Sequence, residues 1–253
     1  MNTEGFMPDP STTAKPVSEF TRSELVRLPE LSRARQRLRR FLNWLARRLV
    51  FWLTRPTVQG LDNVPMSGPV LVIANHLGDA DVILEIAFLP RQIEAIAKIE
   101  LVDLPILGRI MDAYGVIWIR RGQPDRQALR AALDGLSESR MVMIAPEGRE
   151  SLTGALEEAT RGAAFLAVRS NALVLPLAIT GTQNKRLLAN LRRLRKTPVT
   201  LTIGQPFQIM ESSPTSDPAT LSRQDLIEQV THRMMQRIAV LLPDEYKGVY
   251  QEG

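Results

Sequence analysis

From residue 56 onward the chain alternates short runs rich in Val and Ile with longer stretches of helical periodicity, and this limits the available folds more than any other feature. The runs at 70–74, 93–97, 116–119, 141–145, 173–179 and 199–203 are bounded by Gly, Pro or charge, and each reads as a buried strand. Between them, 81–89, 104–114, 126–137 and 159–170 space their apolar residues as helices do. Strands buried on both faces need helices above and below, so the pattern predicts an α/β domain with a mostly parallel central sheet flanked by helices. A last helical pattern, 222–242, starts at Ser222, a capping residue type, and stops at Pro243; it is expected to pack on the sheet.

Ahead of this domain lie two segments of different character. Residues 1–30 hold Pro8, Pro10, Pro16 and Pro29 among Ser, Thr and Glu, and read as a disordered tail. They have no basic stretch followed by an apolar run, so no secretory signal is expected and the cytoplasmic side of a membrane is favoured. Residues 31–55 carry eight Arg and no acid, and the net charge of +5 arises there. On a helix, Leu38, Phe41, Leu42, Leu45, Leu49, Trp52 and Leu53 fall in an arc of about 120°, with Arg40, Asn43 and Arg47 opposite. The longest apolar run there is 49–53, far short of the ~20 residues needed to cross a bilayer. A basic amphipathic helix lying on an anionic membrane surface is expected, so the protein should be peripheral; packing of the same apolar face on the domain core is the alternative. A second basic cluster, Lys185, Arg186, Arg192, Arg193, Arg195 and Lys196, fits either the same membrane face or another anionic partner.

Several chemistries are excluded outright. Without Cys there is no disulfide, thiolate metal site or cysteine nucleophile. His76 and His232 are the only histidines, so no metal and no tightly bound cofactor are expected. No Walker loop, G-x-G-x-x-G or G-x-S-x-G occurs, and the basic clusters lack interleaved aromatics, which argues against nucleic acid.

Ligands of parallel sheets bind beyond the carboxyl ends of the strands. After the first run comes Asn75-His76-Leu77-Gly78-Asp79-Ala80-Asp81. If His76 sits in the turn and Asp81 in the first turn of a helix, the carboxylate orients one ring nitrogen and frees the other to act as a base. A helix cap with a surface ion pair fits the same residues. After 141–145 comes Pro146-Glu147-Gly148, a carboxylate on a stiff turn at the same edge, or an ordinary turn with an exposed Glu. The strand 115–119 delivers Arg120 and Arg121, which on a strand would point to opposite faces. The run 173–179 reads as core.

Together and in order, Asn75-His76 with Asp81, Gly115 through Arg121, Pro146-Glu147-Gly148 and Val174-Leu175-Pro176-Leu177 resemble the four successive motifs of the glycerolipid acyltransferases of the 1-acylglycerol-3-phosphate acyltransferase type. Lys98 before Glu100-Leu101, Pro105 with Gly108, and 162–167 agree, and the resemblance covers about 61–207. It implies a glycerol-phosphate acyltransferase-like fold over 56–253. It also implies that His76 is a general base and Asp81 its orienter, acting on a lysophospholipid, lysophosphatidate first of all, with acyl-coenzyme A or an acyl-carrier protein as donor. Arg121 then pairs with the acceptor phosphate, Lys98 is a second phosphate ligand, and Glu147 with Gly148 lines the acceptor site. Where the family commonly has Thr then Arg after Glu-Gly, this chain has Arg149 then Glu150, so Arg149 supplies that charge from one residue earlier or the acceptor differs. Another acceptor such as glycerol 3-phosphate, a silent lipid-binding module, and a hydrolase using the dyad on water are the other readings.

Overall fold

The structure is a computed structural model that describes residues 23–121, 125–209 and 222–251. Its centre is a seven-stranded sheet in the order β1-β7-β6-β2-β5-β3-β4, formed by β1 (Thr54–Gln59), β2 (Val70–Ala74), β3 (Ile93–Lys98), β4 (Ile117–Ile119), β5 (Met141–Ile144), β6 (Leu173–Thr180) and β7 (Thr197–Ile203). All pairings are parallel except β6 with β7. Every residue of β2 is buried, and so are Val174 to Ile179 of β6, as expected where helices cover both faces.

Seven helices are described: α1 (Arg33–Leu53), α2 (Ala80–Phe88), α3 (Leu107–Tyr114), α4 (Arg126–Ser137), α5 (Gly162–Ser170), α6 (Asn184–Arg192) and α7 (Arg223–Ala239). Helices α1, α2 and α3 lie together on one face, and α4, α5 and α7 on the other, as right-handed crossovers require. Side chains that accept free N-terminal amides start three of them: Ser32 from Arg35, Asp125 from Gln127 and Ala128, and Ser222 from Asp225. The expected strands and helices are present with ends shifted by up to three residues. Strand β1 and helix α6 carried no assignment in the sequence reading: β1 is a short, half-exposed edge strand and α6 a run read only for its charge.

The N-terminal region differs from expectation in two ways. Residues 1–22 of the expected tail lie outside the described residues, but 23–30 are packed: Val26 is 1% exposed and Pro29 O accepts from Arg140 Nη1 at 2.7 Å. Helix α1 is no separate appendage either. It docks through Arg39, Ala46 and Val50, a face turned about 100° from the centre of the apolar arc. Arg39 is fully buried, with Nη1 and Nη2 donating to the two oxygens of Glu94 at 2.8 and 2.7 Å, and Nε donating to Tyr114 O at 2.7 Å. Of the apolar arc, Phe41, Leu45, Leu49 and Trp52 stay outside at 40–72% exposed, with Trp44 beside them, while Leu38, Leu42 and Leu53 are half-buried. Among the described residues, no helix is long and apolar enough to cross a membrane.

The sheet does not continue evenly at its β4 edge. Strand β3 pairs with β5 only from Ile93 to Ala95, and its remaining residues, Ile96 to Lys98, pair with β4 instead. Beyond Ala95 the two halves separate, and an opening forms between the end of β5 and the β3–β4 pair. Helices from both faces can therefore reach a common space at the carboxyl edge.

Candidate active site

His76 and Asp81 meet across the turn between β2 and α2. His76 Nδ1 lies 2.9 Å from Asp81 Oδ2, which also accepts the amides of Leu77 at 2.6 Å and Gly78 at 3.0 Å. An oxygen receiving two N–H groups acts as acceptor, so in the neutral imidazole it is Nδ1 that carries the proton and Nε2 that is the free nitrogen. The turn that permits this depends on Gly78: a Cβ there would stand 2.7 Å from Thr182 O. Asn75, 3% exposed, pairs both ends of its amide with Ile179, donating to its O at 2.9 Å and accepting from its N at 2.7 Å. It thereby ties the end of β2 to β6 and fixes where the turn begins.

Glu147 holds the same turn from the other side. Its Oε1 accepts from His76 N at 3.2 Å and its Oε2 from Glu157 N at 3.0 Å, so both oxygens face backbone amides and neither lines the cavity described below. Gly148 does line it, at φ +75°, where a side chain would be strained and would press on Thr160. Burial pushes the Glu147 carboxyl up to about 7, with the two backbone amides opposing. A raised carboxyl means that the native state holds a proton the unfolded chain has released. The resulting stabilisation, about 3 kcal/mol, is present below pH ~4.5 and is lost as pH rises through ~7. Denaturant unfolding from pH 5 to 8 should show this slope in the wild type and a flatter one in Glu147→Gln.

The opening in the sheet is a cavity of about 590 Å³ that reaches from His76 and Asp81 to apolar walls of Val82, Ile96, Ile119, Met143 and Phe165. Arg120, Arg121 and Arg161 stand at its rim. Because β4 ends at Ile119, Arg120 and Arg121 lie past the strand, and strand alternation does not send them apart as the sequence reading expected; both line the cavity. Arg161 was missed, since an Arg before a helical run looks like any solvated charge. Two other candidates do not line the cavity. Arg149 Nη2 donates to Glu157 Oε2 at 2.7 Å, outside the cavity lining, and Lys98, at the end of β3, is not among the lining residues either. A second apolar cavity, about 280 Å³, lies between the C-terminal half of α1 and α6. Among the described residues, no group of three or more His, Asp or Glu is placed to hold a metal ion.

Comparison with known proteins places the chain among acyltransferases. A family model described as Acyltransferase matches residues 55–180. The chloroplastic 1-acyl-sn-glycerol-3-phosphate acyltransferase LPAT1 of Arabidopsis thaliana is 30% identical over 128 residues, 49% of this chain and 36% of that protein. The 1-acyl-sn-glycerol-3-phosphate acyltransferase of Borreliella burgdorferi is 25% identical over 142 residues, 54% of this chain and 56% of that one. The chain thus spans roughly a third to a little over half of the length of these curated relatives. The crystal structure of the 1-acyl-sn-glycerophosphate acyltransferase PlsC from Thermotoga maritima superposes with a TM-score of 0.57 at 25% identity, covering 83% of this chain and 84% of that one.

Proposed function

Because this chain belongs to the acyltransferase family that includes the 1-acyl-sn-glycerol-3-phosphate acyltransferases, we propose that it moves a fatty acyl group from a thioester to the free hydroxyl of lysophosphatidate, giving phosphatidate. The observation that carries this reading is the His76–Asp81 pair, with Nδ1 2.9 Å from Oδ2, at an apolar cavity whose rim is cationic. Nε2 takes the proton of the acceptor hydroxyl as its oxygen attacks the thioester carbon. The C–O bond forms, the C–S bond breaks, and the departing thiolate takes the proton back from the imidazolium. No covalent acyl-enzyme is required, in keeping with a chain without Cys. The apolar walls suit the acyl chain. Arg121, with Arg120 and Arg161 beside it, suits the acceptor phosphate, for which guanidinium groups are the best-shaped donors.

A bilayer surface is the natural place for this reaction, and the exposed side chains support it. The outward stripe on α1 is bordered by Arg48, whose guanidinium lies 5.5 Å from the Trp44 ring, and Lys196 Nζ donates to Phe51 O at 2.7 Å, tying the basic segment after α6 to the end of α1. Leu188, Leu191 and Leu194, 48–94% exposed, continue the apolar surface beside Arg192 and Arg193. Such a surface gains from apolar burial and from anionic headgroups together.

The test is turnover of lysophosphatidate in anionic vesicles with acyl-coenzyme A or acyl-carrier protein. Phosphatidate should form with at least one donor, and the rate should fall on neutral vesicles. Arg121→Ala should raise the acceptor KM by about tenfold or more, the size of a lost charge-assisted hydrogen-bonded pair, with kcat less affected. No product from any lysolipid would defeat the reading, and an unchanged acceptor KM would remove Arg121 from the phosphate site.

A further inference from the structure

Glu85 has no part in the chemistry just described, yet it lies in the same cavity. It follows Asp81 by one turn on α2, is 1% exposed, and lines the space together with Val82, Ile96 and Met143. Its Oε2 has no hydrogen-bond partner among the described residues. Burial, and to a smaller degree the neighbouring Asp81, holds its carboxyl well above the usual carboxylate range. In its protonated form, which this burial without a cation partner favours, the side chain offers one O–H donor and one carbonyl acceptor. Around it the helix buries Leu84, Ala87 and Phe88. An unpaired polar group among such neighbours is destabilising relative to an apolar one of similar size, so packing does not account for it.

The position of Glu85 indicates what would meet it. Helix α2 leads away from the dyad into the domain, and four residues of helix carry Glu85 about 6 Å deeper than Asp81. An acyl chain with its carbonyl carbon at His76 and its tail in the cavity passes this carboxyl near its thioester end. We propose that Glu85 recognises a hydroxyl group carried by the acyl chain, so that the preferred donors are hydroxyacyl thioesters substituted near the thioester. The hydroxyl donates to the carboxyl oxygen and accepts from its O–H, which satisfies both partners, whereas an unsubstituted chain leaves the acid unpaired. This specificity rests on the acyltransferase reading above.

The experiment is a competition between a 3-hydroxyacyl thioester and the unsubstituted thioester of equal length on the same carrier, with lysophosphatidate as acceptor. The wild type should favour the hydroxylated donor by about tenfold or more in kcat/KM, as sites built around a substrate hydroxyl do. Glu85→Leu should reverse the preference, and Glu85→Gln, which keeps a donor and an acceptor, should retain it. Equal use of the two donors by the wild type, or a preference for the unsubstituted one, overturns the proposal, and that measurement needs no variant to fold. Turnover of neither donor overturns the acyltransferase reading itself, and the hydroxyl specificity with it.

Discussion

His76→Ala is expected to lower kcat by about 10²–10⁴-fold, the range attributable to a positioned general base, while the acceptor KM stays within about threefold. The split follows from the geometry. Nδ1 is committed to Asp81, so the ring contributes only Nε2 to the substrate, and that nitrogen acts on the proton in flight. Phosphate and acyl chain meet other groups, at the arginine rim and the apolar walls. Asp81→Asn should be nearly as damaging for a separate reason. Oδ2 gathers Nδ1 and the amides of Leu77 and Gly78; an amide oxygen can still accept all three, but without the carboxylate charge it no longer stabilises the imidazolium that forms when Nε2 takes the proton. Steady-state kinetics on both variants with saturating donor measures this, and activity within tenfold of wild type in His76→Ala would exclude the imidazole as base.

Arg39→Ala should be the most destabilising single change outside the sheet, by about 3–5 kcal/mol, because it leaves the Glu94 carboxylate buried with a weakened partner set. Arg39 and Glu94 are each at most 2% exposed at the side chain, and the guanidinium also holds the carbonyls of Tyr114 and Gly115. One residue thereby fastens α1 to β3 and to the end of α3. Arg140 Nη1 remains 3.4 Å from Glu94, which offsets part of the loss. Urea midpoints measure the effect, and limited proteolysis at the arginines of α1 reports whether the helix undocks. Arg39→Met with Glu94→Leu removes both charges and should recover most of the stability, since a packed apolar pair avoids the desolvation that the ion pair must offset. A single variant as stable as wild type would show that α1 is held mainly by Ala46 and Val50.

These two residues show how differently the site and its support can be read. His76 and Asp81 are five positions apart, and the turn chemistry between them is local, so motif and geometry coincide. Arg39 and Glu94 are 55 positions apart, and nothing in 31–55 separates the one buried arginine from the other seven. The apolar arc on α1 was visible as periodicity, but periodicity does not say which partner an arc meets. Glu147 is an instructive intermediate: its place at the strand end was legible, while the turning of both its oxygens to the amides of His76 and Glu157 was not. Glu85 gave no signal, because a Glu on a helix is ordinarily a solvated residue.

The sequence by itself determined the alternation of strands and helices, the capped helix starts and the two turns that carry His76 and Glu147, since each depends on contacts within a few residues. Tertiary structure alone decided that β3 leaves β5 after Ala95, that the resulting opening admits side chains from both faces of the sheet, and that α1 docks through its narrow side. Those outcomes depend on which distant segments become neighbours. Burial then fixes the consequences: the same Arg or Glu that is unremarkable in water must, once water is excluded, find a partner or lose its charge.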